Sequence, residues 1–211
     1  LNGVSIKSVV ANVNNKVITA TEALEMVQPV LDKFEKQGVQ IILHGEEEQN
    51  RQMASELSFA FFIAIFLIFI TLLTMFDSFK YSLLVLSVIP FSVTGAIFGH
   101  ILLDMNLTMT SIIGILGLAG VVINNAIVML DFVKKTTSIE ELIQRATLRL
   151  RPIIITSITT FLGLSTLIFF ATGQSKILQP LAISLGFGLL WGTVLTLLFL
   201  PALFAMINKN I

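Results

Sequence analysis

The chain contains no cysteine, so disulfides and thiol chemistry play no part and the redox compartment leaves no mark on the sequence. Charge is scarce. Only 12% of the 211 residues are Asp, Glu, Lys or Arg, about half the usual fraction of a soluble domain. Lys and Arg total 13, as do Asp and Glu, and nothing in their pattern suggests a nucleic-acid partner. The two histidines, His44 and His100, lack metal-ligand spacing to another histidine. There is no GxSxG elbow, no HExxH and no GxxxxGK phosphate loop. These absences point away from a bound metal, a cofactor or bond-making catalysis. The chain opens at Leu1 without the basic segment and apolar core of a signal peptide. Because residues 1–50 are placed outside the cell below, the sequence is expected to be the C-terminal piece of a longer protein.

What the chain has is hydrophobic length. Five runs carry no Asp, Glu, Lys or Arg: 57–76, 81–103, 105–130, 152–175 and 177–208. Each reaches the ~20 residues needed to cross ~30 Å of hydrocarbon. The expected fold class is therefore membrane α-helical, with five transmembrane helices at about 57–76, 81–103, 107–133, 152–172 and 180–207 in a transmembrane domain covering 51–211. Between spans three and four, Ser138 and Glu141 have capping-box spacing. Ile139, Leu142, Ile143, Ala146 and Leu150 then repeat at helical spacing against Glu140, Glu141, Gln144, Arg145 and Arg149. That pattern predicts an interfacial amphipathic helix at about 138–150.

The first fifty residues differ. VSIKSVVANV at 4–13 is β-branched and partly alternating, which predicts a strand. A capping box, Thr19 with Glu22, starts a helix whose apolar face is Leu24, Val27, Leu31 and Phe34. Pro29 lies inside it and Gly38 is its stop. Residues 39–43 predict a second short strand. This β-α-β segment over 1–50 is too small to bury a core alone. Basic residues prefer cytoplasmic loops. One side of the five spans carries Lys80, Lys134, Lys135, Arg145, Arg149, Arg151 and Lys209, while the membrane loops of the other carry only Lys176. Residues 1–50 are thus expected to be extracytoplasmic and the C-terminus cytoplasmic.

Within the spans, Pro90 is expected to kink span two. Gly95 with Gly99, and Gly188 with Gly192, form GxxxG packing faces. His100 lies one turn from Asp104 at the far end of span two, where a bland interfacial place and a proton-entry role are both open. The chain is organised around span three, GILGLAGVVINNAIVMLDFVKK at 114–135. It carries two amides near its middle, Asn124 and Asn125, and a carboxylate, Asp131, two turns on. Gly117, Val121, Asn124, Val128 and Asp131 fall along one stripe. Polar groups inside a membrane are costly and face a bundle interior or a water path. They serve either a transport relay or the gluing together of helices. In span four, Thr156, Thr160 and Gly163 share a face, and the hydroxyls of Thr156, Ser157, Thr159 and Thr160 either line a path or bond back to their own helix.

The layout, together with GLAGVVINNAIVMLDFVKK at 117–135, LRLRPIIITSITTFLG at 148–163, FDSFKYSLLVLSVIP at 76–90 and FLPALFAMI at 199–207, resembles the C-terminal end of a resistance-nodulation-division (RND) efflux permease of the AcrB-like kind. The resemblance covers essentially the whole chain. It implies a proton-driven exporter of drugs or other small amphiphiles in the bacterial inner membrane, built as two similar halves and assembled as a homotrimer. A periplasmic adaptor and an outer-membrane channel join it in Gram-negative cells. Here the chain would supply the last piece of the ferredoxin-like porter subdomain and spans eight to twelve, and its partners would be the lipid bilayer and the N-terminal half. The resemblance places Asn124, Asn125, Thr156, Arg149 and, less directly, Asp131 at the proton-relay positions. These positions face carboxylates on span four of the absent half. Many drug pumps carry lysine where this chain has Asn124, and an amide cannot change charge as lysine does. Metal export is less favoured, because the Met residues are scattered. Two other readings remain: a Sec-type accessory protein using a proton gradient for translocation, and a membrane anchor without transport.

Overall fold

The computed structural model describes Val9, residues 20–39, Ile41 and residues 46–208. Among them the secondary structure is helical: α1 (Ala20–Glu35), α2 (Glu46–Phe76), α3 (Phe79–Leu86), α4 (Val88–Leu102), α5 (Met109–Val133), α6 (Ile139–Phe169) and α7 (Gln179–Ile207), with a 3-10 helix at Gly173–Leu178 leading into α7. No strand occurs among the described residues. The two strands expected at 4–13 and 39–43 lie almost wholly outside them. The chain divides by its internal contacts into two units, residues 1–55 and 56–211.

In the first unit α1 forms where the sequence predicts it, with Pro29 inside and Gly38 at φ +86° ending the turn that follows. Its expected apolar face is only partly covered, since Leu24 and Leu31 are half-buried while Val27 and Phe34 are each 47% exposed.

Five segments among the described residues are long and apolar enough to cross a membrane, all but Ser55 within the second unit: Ser55–Phe76, Phe79–Leu102, Met109–Val133, Ile139–Phe169 and Gly173–Ile207. They match the five expected spans. Span two is two helices, α3 and α4, which meet at Ser87. Pro90, three residues on, has no N–H for the Leu86 carbonyl, and its ring crowds that carbonyl, which explains the break. The turns between spans are held locally. Ser78 Oγ accepts the Tyr81 N–H at the start of α3. Thr108 and Ser111 cap α5 reciprocally, and Ser138 Oγ accepts the Glu141 N–H at 3.2 Å at the start of α6. The Glu141 carboxylate reaches back to the Thr137 N–H at 3.0 Å, closing the box one residue earlier than its usual form. One boundary differs from expectation. The amphipathic segment and span four are a single helix, α6, with Pro152 inside it.

α7 lies at the centre, packed against α4, α5 and α6. The two GxxxG motifs explain how. A Cβ at Gly99 would stand 2.5 Å from the Phe187 ring, and one at Gly95 would strike Trp191. A Cβ at Gly192 would stand 2.8 Å from Val122 Cγ2, and one at Gly188 would strike Leu118. Large residues of α7 thus enter the glycine face of α4, and large residues of α5 enter the glycine face of α7. Lipid supplies no hydrophobic drive between helices, so such close backbone approach is what holds them. The core along this seam includes Leu84, Val85, Val88, Ala96, Leu118, Val122, Ala126, Met129, Leu189 and Leu200. A second, smaller cluster joins Ile168 to Ala182 and Ile183, with Phe161 and Phe187 against it.

Candidate functional site: the open face of α5 and α6

α5 buries one side, including Gly114, Leu118, Val122 and Met129. The opposite side carries Gly117, Gly120, Val121, Asn124 and Asp131, all exposed. The stripe read from the sequence thus faces outward from this bundle at Gly117, Val121, Asn124 and Asp131, while its remaining member, Val128, is half-buried. Asn124 is exposed and Asn125 half-buried, and neither amide makes a hydrogen bond among the described residues. Gly120 has nothing within 4 Å of a Cβ position, and Gly117 only Leu185 at 3.4 Å.

α6 runs beside α5. Arg149 stacks its guanidinium on the Phe132 ring at 3.7 Å. Arg145 donates from Nη1 to the Phe132 carbonyl at 3.5 Å and from Nη2 to Glu141 at 2.7 Å. At 3.6 residues per turn, Arg145, Arg149, Thr156, Thr160 and Gly163 share one flank of α6, the flank that reaches the C-terminal end of α5 at Phe132. Asn125, seven residues before Phe132, lies on the side of α5 that this flank meets. The Arg149 Nε is buried and has no hydrogen-bond acceptor among the described residues. Thr156 is exposed and donates to the Pro152 carbonyl at 2.6 Å. Thr160 donates to the Thr156 carbonyl at 2.8 Å and Thr159 to Ile155 at 2.9 Å. These hydroxyl protons are engaged with their own helix, but the oxygens remain free to accept. Gly163 has nothing within 4 Å of a Cβ position.

Asp131 sits apart from this group in its chemistry. It pairs with Lys134 at 2.6 Å, one turn on, and is 46% exposed. Lys134 also stands 5.3 Å over the Phe76 ring. A carboxylate so paired at the end of a helix behaves as an ordinary surface ion pair.

Two polar contacts were not legible as pairs. His100 is 2% exposed. It meets Ser111 Oγ at 2.9 Å through Nε2 and the Ala96 carbonyl at 3.0 Å through Nδ1. The carbonyl only accepts, so Nδ1 carries the proton and Ser111 donates to Nε2. The histidine thus ties the end of α4 to the cap of α5. Ser157 and Thr193 hydrogen-bond at 2.6 Å between α6 and α7. Ser157 stood among the hydroxyls singled out in span four, but nothing in the sequence marked Thr193 as its partner.

Residues 1–208 match the protein family described as the AcrB/AcrD/AcrF family. The chain is 31% identical over 171 residues to the cobalt-zinc-cadmium resistance protein CzcA of Cupriavidus metallidurans, covering 79% of this chain and 16% of that protein. It is 29% identical over 196 residues to the multidrug resistance protein MdtC of Pantoea ananatis, covering 90% of this chain and 19% of that protein. In structure it resembles a heavy metal efflux pump solved by crystallography, with a TM-score of 0.77 at 26% identity, covering 90% of this chain and 19% of the pump. The chain therefore spans less than a fifth of the length of these relatives.

Proposed function

The chain belongs to the AcrB/AcrD/AcrF family of RND permeases, and from this we propose that it is the C-terminal part of a proton-driven efflux transporter in the bacterial inner membrane. The observation that carries the reading is the open face. An amide in hydrocarbon is costly unless protein or water covers it, and in a helix interior glycine costs up to ~1 kcal/mol relative to alanine. Asn124, beside Gly117 and Gly120 on α5, fits a face on which another helix seats closely, and exposed Thr156, Thr160 and Gly163 form such a face on α6. On this reading the occupant is the N-terminal half of the same permease. Its carboxylates accept from the Asn124 amide, and the free oxygens of Thr156 and Thr160 face them. Protonation removes the acceptor charge and weakens the contact with Asn124. α5 and α6 then shift against the other half. Arg149, with its unengaged Nε, is the fixed positive charge at the cytoplasmic end of the path. Asp131 is the least supported member of the set, because Lys134 already holds it.

The extracytoplasmic segment 1–50 is proposed as a remnant of the porter domain, outside the membrane, with the C-terminus inside. A homotrimer, a periplasmic adaptor and an outer-membrane channel are the assembly that this reading brings with it. The proposed substrates are drugs or other small amphiphiles, a reading to which the likeness to MdtC lends support. A second reading, export of divalent cations, is favoured by the likeness to CzcA and to the heavy metal pump.

In the complete permease, expressed in a strain lacking its own exporters, Asn124→Leu and Thr156→Val are expected to abolish resistance while leaving the membrane protein level unchanged. Wild-type resistance in both would overturn the relay. Resistance to dyes and detergents against resistance to cobalt, zinc and cadmium separates the two substrate classes. Unchanged efflux with defective secretion would favour a translocation accessory instead.

A further inference from the structure

We infer that the Ser157–Thr193 hydrogen bond is a fixed pivot that positions Thr156, so that both residues are positioning residues for proton coupling. The inference rests on the reading of Thr156 given above. Most hydroxyls of α6 bond to their own backbone: Thr147, Thr156, Thr159, Thr160 and Ser165 each donate to a carbonyl three or four residues back. Ser157 does not. It turns inward, 2% exposed, and meets Thr193 Oγ1 at 2.6 Å. Thr193, 6% exposed, already donates to the Leu189 carbonyl at 2.7 Å. The donor in the pair is therefore Ser157 and the acceptor Thr193.

The place of this bond gives it its role. One turn before it, Ile153 belongs to the larger apolar cluster. One turn after it, Phe161 packs edge-on against Phe187 at 5.7 Å in the smaller one. The polar pair sits on α6 between two apolar contacts that are not continuous with each other. Apolar surfaces slide and rotate with little directional preference, whereas a buried hydroxyl pair accepts one distance and one angle. Breaking it in a dry interface leaves a donor unsatisfied. Thr156 is the next residue, about 100° around the helix. Fixing Ser157 on α7 therefore fixes the direction in which Thr156 points.

The test uses the complete permease. Ser157→Ala and Thr193→Val are expected to lower turnover about tenfold at unchanged membrane level and unchanged substrate KM, and to move the pH midpoint of transport. The double variant is expected to be no worse than either single one, because both remove the same bond. The exchanged pair Ser157→Thr with Thr193→Ser keeps two hydroxyls and retains transport. Wild-type turnover and pH profile in Ser157→Ala and Thr193→Val, with Thr156→Val inactive, would overturn the pivot and leave the relay standing. Wild-type transport in Thr156→Val would remove Thr156 from the relay and the pivot with it. If the single variants fail to reach the membrane, Ser157→Cys with Thr193→Cys decides. The pair is made in a permease whose other cysteines, if any, are replaced; these 211 residues contribute none. A fixed pivot transports with the disulfide closed. A block relieved by reductant means the contact must open, and the inference is wrong.

Discussion

Glycine is used in two opposite ways in this bundle. On the inner seam, Gly95, Gly99, Gly188 and Gly192 are filled by Trp191, Phe187, Leu118 and Val122 of the facing helix. On the outer side of α5 and α6, Gly120 and Gly163 have nothing within 4 Å, and Asn124 and Thr156 stand exposed beside them. The first set explains how α4, α5 and α7 hold together. The second set has no packing partner among the described residues, although it lies on helices otherwise made of large apolar residues. The same residue type therefore separates a finished interface from an unfinished one, and the unfinished one carries the polar groups.

The largest effect should come from filling the finished seam. Gly188→Leu is expected to destabilise the detergent-solubilised chain by about 3 kcal/mol, at the upper end of overpacking costs, and thermal unfolding measures it. Gly120→Leu and Gly163→Leu, made in the same chain, are expected to change its unfolding little. In the complete permease these two should abolish export at normal membrane level. If they destabilise the isolated chain as much as Gly188→Leu does, the contrast between the two faces is false.

A smaller effect sharpens it. His100→Phe removes the acceptor from buried Ser111 and should cost about 1–3 kcal/mol, measured by the same unfolding. Arg149→Lys keeps the charge but loses the planar stack on Phe132, and at a partly exposed cation–π contact should cost about 0.5–1 kcal/mol. Export should fall further than stability if the buried Nε serves the relay. The least effect is expected from Asp131→Asn, since an exposed ion pair contributes at most about 1 kcal/mol. Near-normal export in that variant would remove Asp131 from the relay.

Periodicity made much of this readable in advance. The stripe of Gly117, Val121, Asn124, Val128 and Asp131 follows from the helical repeat alone, and the structure exposes all of it but Val128, which is half-buried. The runs without charge located the five spans because hydrocarbon tolerates few alternatives. The direction in which a stripe faces is a different matter. It depends on which helix packs where, and a single helix does not record that. Ser157 and Thr193 are 36 positions apart, and His100 chose Ser111, 11 positions on, over its near neighbour Asp104. Both choices come from tertiary packing. The GxxxG motifs were visible, but the side chains that fill them were not. The join at Pro152 was also obscured, because an amphipathic pattern followed by an apolar one looks the same whether or not the helix between them is continuous.

That continuity has a mechanical corollary. A helix of 31 residues, Ile139–Phe169, is about 46 Å long, well beyond the ~30 Å of a hydrocarbon layer. That length exceeds what a crossing needs by about ten residues, and Arg145 and Arg149, within the first dozen, grip Phe132. A tilt of a few degrees at mid-membrane becomes a displacement of ångströms at that grip, so the tail end of α5 is the place where a small event deep in the bilayer would be felt in enlarged form.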